Sequence, residues 1–382
     1  MQEGRLEHYI RSGQKMLRCG YTTGTCAALA AAGAARLLLS GNAPETVSLM
    51  TPKGLEVTVP LRETLLLEDG QAARCAVIKD GGDDYDITNG MSVQATVRKS
   101  ATVGIRIDGG EGVGRVTKPG LDQSVGAAAI NRVPRRMIEQ QVQAVCDELG
   151  YDGGLEVVIS VPGGAEAAKR TFNPMLGVTG GISILGTSGI VEPMSEQAIV
   201  DTIAVEQRQA AATGAKGLIL TPGNYGEDFL RENGLDQKGF PVVKCSNFVG
   251  EAIDIAVTHH FEQVLLVGHV GKLVKLAGGI MNTHSRYADC RTELFCAHAA
   301  LCGAGTELCR DLMEAATTDA CIALLDGAGL RGAVMERLLN AIQHHLDRRA
   351  AGACVIGAVL FSNEYGLLGE TEQAKEIMNA WK

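Results

Sequence analysis

The sequence runs to 382 residues, enough for two domains that each bury a core of their own. A hydrophobic share of 46% with 21% charged residues excludes a disordered or fibrous chain. A formal charge of −9 and an aromatic share of 4% argue against broad binding to nucleic acid or anionic membranes.

Eleven cysteines sit at irregular spacings, with no C-x-x-C pair among Cys290, Cys296, Cys302 and Cys309, which argues against zinc and for reduced thiols. Met1 to Lys15 is polar with no apolar signal core, and no apolar run reaches membrane-spanning length. A cytoplasmic protein is expected.

The first element is a helix in L-R-C-G-Y-T-T-G-T-C-A-A-L-A-A-A-G-A-A-R-L-L-L-S-G, residues 17–41. Thr22, Thr23 and Thr25 are candidate N-caps, alanines favour helix, and Gly41 suits its end. So many alanines predict close packing against a sheet. The polar start reads either as a capped core helix or as an anion site of free amides and hydroxyls.

Short strands are predicted at Thr46–Met50, Leu55–Val59, Arg74–Lys79, Met91–Arg98 and Val103–Ile107, in an antiparallel or mixed sheet. Asp80-Gly-Gly-Asp83-Asp84-Tyr85-Asp86 crowds four carboxylates into one loop. A metal loop of non-EF-hand spacing, a solvated turn and a set of bases facing a cleft all fit. Gly112-Val-Gly-Arg115-Val-Thr-Lys118 is a glycine loop with two cations, able to grip an anion or simply to turn. A helix from Pro134 to Leu149 and a strand at Leu155–Val161 complete this part.

Alternation then becomes regular. A buried strand is expected at 182–187 and helix 195–212, then strand Gly217–Leu220, a short helix near 227–232 and strand Pro241–Cys245. Helix 249–260, strand Gln263–Val267 and helices 270–277, 284–303, 306–316 and 331–348 follow, with a late strand Cys354–Phe361 and a terminal helix. This predicts an α+β domain over 1–178 and, over 179–382, an α/β domain with a small parallel sheet and a helical C-terminal part.

Ligands of such sheets bind at the carboxyl ends of the strands. Four small polar loops are expected to meet there. They are Gly186-Thr187-Ser188-Gly189, Thr221-Pro-Gly-Asn224-Tyr-Gly226, Lys244-Cys-Ser-Asn247 and Gly268-His269-Val-Gly-Lys272. His269, Lys272 and Lys275 are spaced by three, which on one helix would align an imidazole with two cations.

Taken together, L-R-C-G-Y-T-T-G-T-C-A-A at 17–28, K-D-G-G-D-D-Y-D-I-T at 79–88, G-V-G-R-V-T-K-P-G-L at 112–121 and N-P-M-L-G at 173–177 form an ordered set. It continues through G-G-I-S-I-L-G-T-S-G-I-V-E-P at 180–193, P-G-N-Y-G at 222–226, L-L-V-G-H-V-G-K-L-V-K-L-A-G-G-I at 265–280 and N-T-H-S-R-Y-A-D-C-R-T-E at 282–293. This set resembles the CbiD family, the cobalt-precorrin-5B (C-1)-methyltransferases of anaerobic cobalamin biosynthesis.

The resemblance implies a CbiD-like two-domain fold, S-adenosylmethionine as methyl donor and an anionic, cobalt-containing tetrapyrrole as acceptor. Cobalt comes with the substrate, so no protein-bound metal is expected, nor any nucleic-acid or membrane partner; a homo-oligomer is left open. The acidic and G-x-G-x-G signature common to Rossmann methyltransferases is not found after 182–187.

Methyl transfer is chiefly a matter of alignment, with a base wanted where a proton leaves the ring. For acid–base work the residues nominated are His269, Asp84 and His284. For the donor they are Gly186, Thr187, Ser188, Gly189, Asn224, Gly226 and Asn247. For the carboxylates of the ring they are Thr22, Thr23, Arg115, Lys272, Lys275 and Arg286. A kinase cradling phosphates on the Thr-Gly-rich helix start, or a silent tetrapyrrole carrier, are the competing readings; no G-x-x-x-x-G-K-[ST] is present for the first.

Overall fold

The computed structural model describes residues 4–12, 14–67, 70–235 and 239–381. It divides into two compact units, Met1–Ser195 and Glu196–Lys382. The division falls beyond the expected 178/179 boundary for a local reason. Val178–Thr179 pairs with Arg115–Val116, and Ile190–Val191 pairs with Gly20–Tyr21, so this segment belongs to the first unit.

The first unit is built on helix α1 (Thr23–Ser40), capped by the Thr22 hydroxyl on the Thr25 N–H and ended by Gly41 at φ 76°. Its sheet comprises β1 (Arg62–Leu67), β2 (Ala72–Ile78), β3 (Ser92–Ser100), β4 (Ile105–Gly109) and, after α2 (Arg132–Leu149), β5 (Gly154–Ser160). The spatial order is β1-β2-β3-β5-β4, with only the β5–β4 pair parallel. The alanine face of α1 lets the helix pack close to α2, β2 and β3. By length and a mean hydropathy of 1.3, α1 would qualify as a membrane span, contrary to the sequence expectation. With 83% of it buried inside the unit, it is a core helix.

The second unit alternates as expected. α3 (Glu196–Ala212) leads to β6 (Gly217–Thr221), α4 (Asn224–Glu232), β7 (Val242–Lys244), α5 (Val249–Thr258), β8 (Gln263–His269) and α6 (Val270–Leu273). Helices α7 (Arg291–Leu301), α8 (Thr306–Glu314), α9 (Thr318–Gly327) and α10 (Arg331–Ala350) follow, then β9 (Val355–Ser362), β10 (Gly366–Glu370) and α11 (Glu372–Ala380). The sheet order is β7-β6-β8-β9-β10, parallel but for β10 against β9. β6 and most of β8 and β9 are buried, as strands covered on both faces must be. At the amino end of β8, Trp381 stacks on Phe240 at 3.8 Å and donates from Nε1 to Gln263 Oε1 at 2.6 Å.

Three expectations are corrected here. Residues 182–187 are not a strand of this sheet: Ile182 bridges Val113 and Ile184 bridges Ile130, all in the first unit. The helix expected over 270–277 tightens into a 3₁₀ turn at Val274–Gly278. The helix expected from 284 begins only at Arg291, because Asn282 Oδ1 accepts the His284 N–H and His284 Nδ1 accepts the Arg286 N–H, curling the chain into turns. Helix α9, capped by Thr317, and strand β10 were not foreseen.

Candidate active site

Strand order picks out one place in the second unit. From β6 the chain moves outward to β7, then returns past β6 to β8. The connection therefore changes direction between β6 and β8, and the crevice at their carboxyl ends is where open parallel sheets bind ligands. Its walls are Thr221-Pro222-Gly223-Asn224, entering α4, and Gly268-His269-Val270-Gly271, entering α6.

The β6 loop is bare. Gly223 is extended (φ 168°), a conformation open to any residue, and a Cβ there would meet nothing within 4 Å. Neither strain nor packing demands this glycine; its carbonyl is taken by the Thr221 hydroxyl and the Gly226 N–H, and what the missing side chain leaves is open space beside the loop. Gly226 differs: a Cβ would lie 1.7 Å from Thr221 Oγ1, so it lets α4 pack on its own strand rather than touch a donor. Asn224 is exposed, and Lys244 at the end of β7 donates to Asn224 Oδ1 (3.4 Å) and Glu227 Oε2 (3.1 Å).

Glu206, on α3, is a third member of this charged group that sequence reading passed over. Burial raises its carboxyl pKa, Lys244 opposes that and Glu227 adds to it. Its only sequence signal was an acid on the otherwise apolar side of a helix.

On the β8 side, His269 caps α6, its Nδ1 accepting the Gly271 N–H at 3.1 Å. That bond needs an unprotonated Nδ1, so the neutral ring carries its proton on Nε2. Burial lowers the imidazole pKa and so favours the neutral ring, and Asp319, which favours the charged form, offsets this only in part. Phe361 meets the ring edge-on at 5.7 Å, and Tyr225 lies at 6.3 Å.

Lys272 donates from Nζ to Pro222 O at 3.0 Å, tying the two crevice loops together. Burial lowers its pKa, so it is less free to meet a carboxylate than a surface lysine. Lys275 is not the exposed cation its spacing suggested. The 3₁₀ turn carries it inward to 2% exposure, where Nζ donates to Thr283 O and Ala288 O. Asn247 bonds Thr283 through its carbonyl, which accepts the Thr283 N–H at 2.9 Å, and through Oδ1, 3.1 Å from Thr283 Oγ1. His284 is exposed, while Arg286 is engaged by Glu196 and lies over the Tyr287 ring.

The remaining nominated residues lie in the first unit, and most of them are bonded to other residues of that unit. The Leu185 carbonyl accepts the Gly24 N–H, Gly189 O accepts the Thr22 N–H and the Thr25 hydroxyl, and the Thr23 hydroxyl bonds Leu185 in both directions. A Cβ on Gly186 would sit 2.4 Å from Thr22 Oγ1, and one on Gly189 2.8 Å from Thr51 Cβ. Thr187 is exposed and Ser188 is turned onto Ile190 O. The start of α1 is thus closed by the 183–189 segment, which removes the phosphate cradle that the kinase reading needed.

Arg115 clasps Asp108 at 2.6 Å on the surface. In the acidic loop Asp80 grips Arg18, Asp83 accepts the Arg18 N–H, Asp84 accepts the Met194 N–H, and Asp86 pairs with buried Lys79. These carboxylates hold the fold. Burial would raise the Asp86 carboxyl pKa, but Lys79 and Thr88 keep it below the usual range.

Comparison with known proteins adds the following. The CbiD family model matches residues 10–193, and that of the CbiD C-terminal domain matches residues 282–372. The chain is 48% identical over 360 residues to a protein named cobalt-precorrin-5B C(1)-methyltransferase from Ruminiclostridium cellulolyticum, covering 94% of this chain and 92% of that one. It is 43% identical over 378 residues to a protein of the same name from Alkaliphilus metalliredigens, covering 99% and 98%. The crystal structure of cobalamin biosynthesis protein CbiD from Archaeoglobus fulgidus is 31% identical, covers 71% of this chain and 83% of that one, and superposes with a TM-score of 0.39.

Proposed function

The chain belongs to the CbiD family, and from that premise we propose how it acts. It methylates carbon 1 of cobalt-precorrin-5B during anaerobic cobalamin biosynthesis. S-adenosylmethionine is the donor and binds in the crevice between the β6 and β8 loops. Its free cysteines fit a reducing, cytoplasmic setting.

The observation that carries this reading is the bare Gly223 loop at the point where strand order reverses, beside Asn224, Glu227 and Lys244. The residues suit the donor: open space beside Gly223 for close approach, a carboxamide and a carboxylate for hydroxyls and amines, and the Tyr225 ring for an aromatic base. The donor supplies an electrophilic methyl group on a sulfonium sulfur. The crevice residues align it, and the apolar surroundings of Phe361 keep water away. His269, neutral and bearing its proton on Nε2, presents that N–H as a hydrogen-bond donor to the ring, its orientation fixed by the Gly271 N–H on Nδ1. Cobalt belongs to the substrate.

The test is a transfer assay with S-adenosylmethionine labelled in its methyl group and cobalt-precorrin-5B. Label recovered at carbon 1 of the ring is expected; label that stays with the donor overturns the reading.

A further inference from the structure

The first unit holds a cavity of about 570 Å³ that the crevice above does not use. Two of the sequence motifs meet in its wall: Arg18 and Tyr21 from residues 17–28, and Lys79, Asp80 and Asp83 from residues 79–88. They are held together backbone to backbone. A Cβ on Gly20 would lie 2.3 Å from Asp80 O, and one on Gly82 2.3 Å from Arg18 O.

Arg18 and Lys79 have their charges matched, whereas Asp83, its carboxylate held among the described residues only by a backbone N–H, keeps its negative charge in the wall, one carboxylate to set against any added cations. Asp80 takes the Arg18 guanidinium at 2.6 and 2.9 Å, Asp83 takes the Arg18 backbone N–H, and Lys79 is paired with Asp86. Two further cations line the same cavity, Arg5 and Arg62. Neither guanidinium has a hydrogen-bonding or ionic partner among the described residues. Val59, Pro60 and Ile78 add an apolar wall.

An arginine fork matches a carboxylate in two bonds at once, and two unpaired forks on a partly apolar cavity suit an organic polyanion. We propose that this cavity receives the carboxylate arms of the tetrapyrrole substrate, with Arg5 and Arg62 as the gripping residues. The inference rests on the methyltransferase reading for the identity of that polyanion. The cavity is within the range of small-molecule sites, and apolar contact with the ring edge would come from Val59 and Pro60.

The experiment uses the full chain and uroporphyrin, an eight-carboxylate porphyrin, as the probe, followed by its fluorescence. The Arg5→Gln, Arg62→Gln double variant should bind it at least about tenfold more weakly, a loss of the size expected for removing charge-assisted bonds. S-adenosylhomocysteine affinity by calorimetry should not change. Both side chains lie at the surface, so the melting temperature should hold, and Arg62→Lys should restore part of the loss.

In the transfer assay KM for cobalt-precorrin-5B should rise by a similar factor while kcat stays. Unchanged porphyrin binding in the double variant overturns the proposal. So does displacement of the porphyrin by equimolar inorganic phosphate, which would mark a general anion site. A wild-type chain that methylates while the double variant keeps its KM sinks the cavity alone. A wild-type chain that transfers no methyl, yet loses the porphyrin on double substitution, sinks the methyltransferase reading and spares the cavity.

Discussion

Two glycine-rich junctions look alike on paper and do opposite things. Gly186-Thr-Ser-Gly189 in the first unit is packed: each of these glycines would drive a Cβ into a threonine, and the nearby carbonyls are taken by the start of α1. Pro222-Gly223-Asn224 in the second unit is open, with nothing within 4 Å of the missing Cβ at Gly223. A glycine beside a strand end can let two pieces of backbone touch, or it can leave room for something that is not protein. What surrounds it decides which, and that is not in the local sequence.

Four substitutions sharpen the contrast. Gly186→Val should cost the most, upward of about 4 kcal/mol, since it forces a β-branched residue to φ 129° and onto Thr22. Thermal unfolding would show it, and a melting temperature near wild type would break the distinction.

Lys79→Met should cost about 3 kcal/mol at neutral pH by stranding the Asp86 carboxylate. Because the folded Asp86 pKa is depressed, its contribution is full above the ordinary carboxylate pKa of about 4 and is lost as pH falls through the folded value. Chemical denaturation in an acid series should therefore show the gap between variant and wild type closing.

His269→Asn should leave stability near wild type, since asparagine also caps helices, and lower kcat about a hundredfold. Burial depresses the imidazole pKa, so the acid limb of the wild-type kcat profile should fall below the ordinary histidine value of about 6.5 and vanish in the variant. A limb that persists in the variant belongs to another group.

Gly223→Val should be the mildest for the fold, within about 0.5 kcal/mol, while weakening S-adenosylhomocysteine about tenfold by calorimetry. Intact affinity in that variant would put the donor elsewhere.

Sequence periodicity reached the alternation of the second unit almost element by element, because buried parallel strands and amphipathic helices carry strong local patterns. It failed at 182–187, where a β-branched run between glycines has only single-residue bridges to loops for neighbours. It also failed at Lys275, where three-residue spacing means one face only while the helix stays α; the 3₁₀ turn rotated that lysine into the interior. His269, Asn224 and Lys272 were legible because they follow strand ends. Glu206 was not, since it reaches the crevice edge from the middle of α3, and only the folded chain brings it near Lys244 and Glu227.

The stack of Trp381 on Phe240 has a practical use. This is the chain's one tryptophan, and it sits at the amino end of β8, the end away from His269. Its emission is thus a built-in optical probe of the Glu196–Lys382 unit, shifting when that sheet comes apart. A ligand entering the crevice at the far end of the strands would leave the indole in the same surroundings. A denaturation curve read at this wavelength, set beside one read by circular dichroism over the whole chain, separates the melting of the two units without cutting the protein.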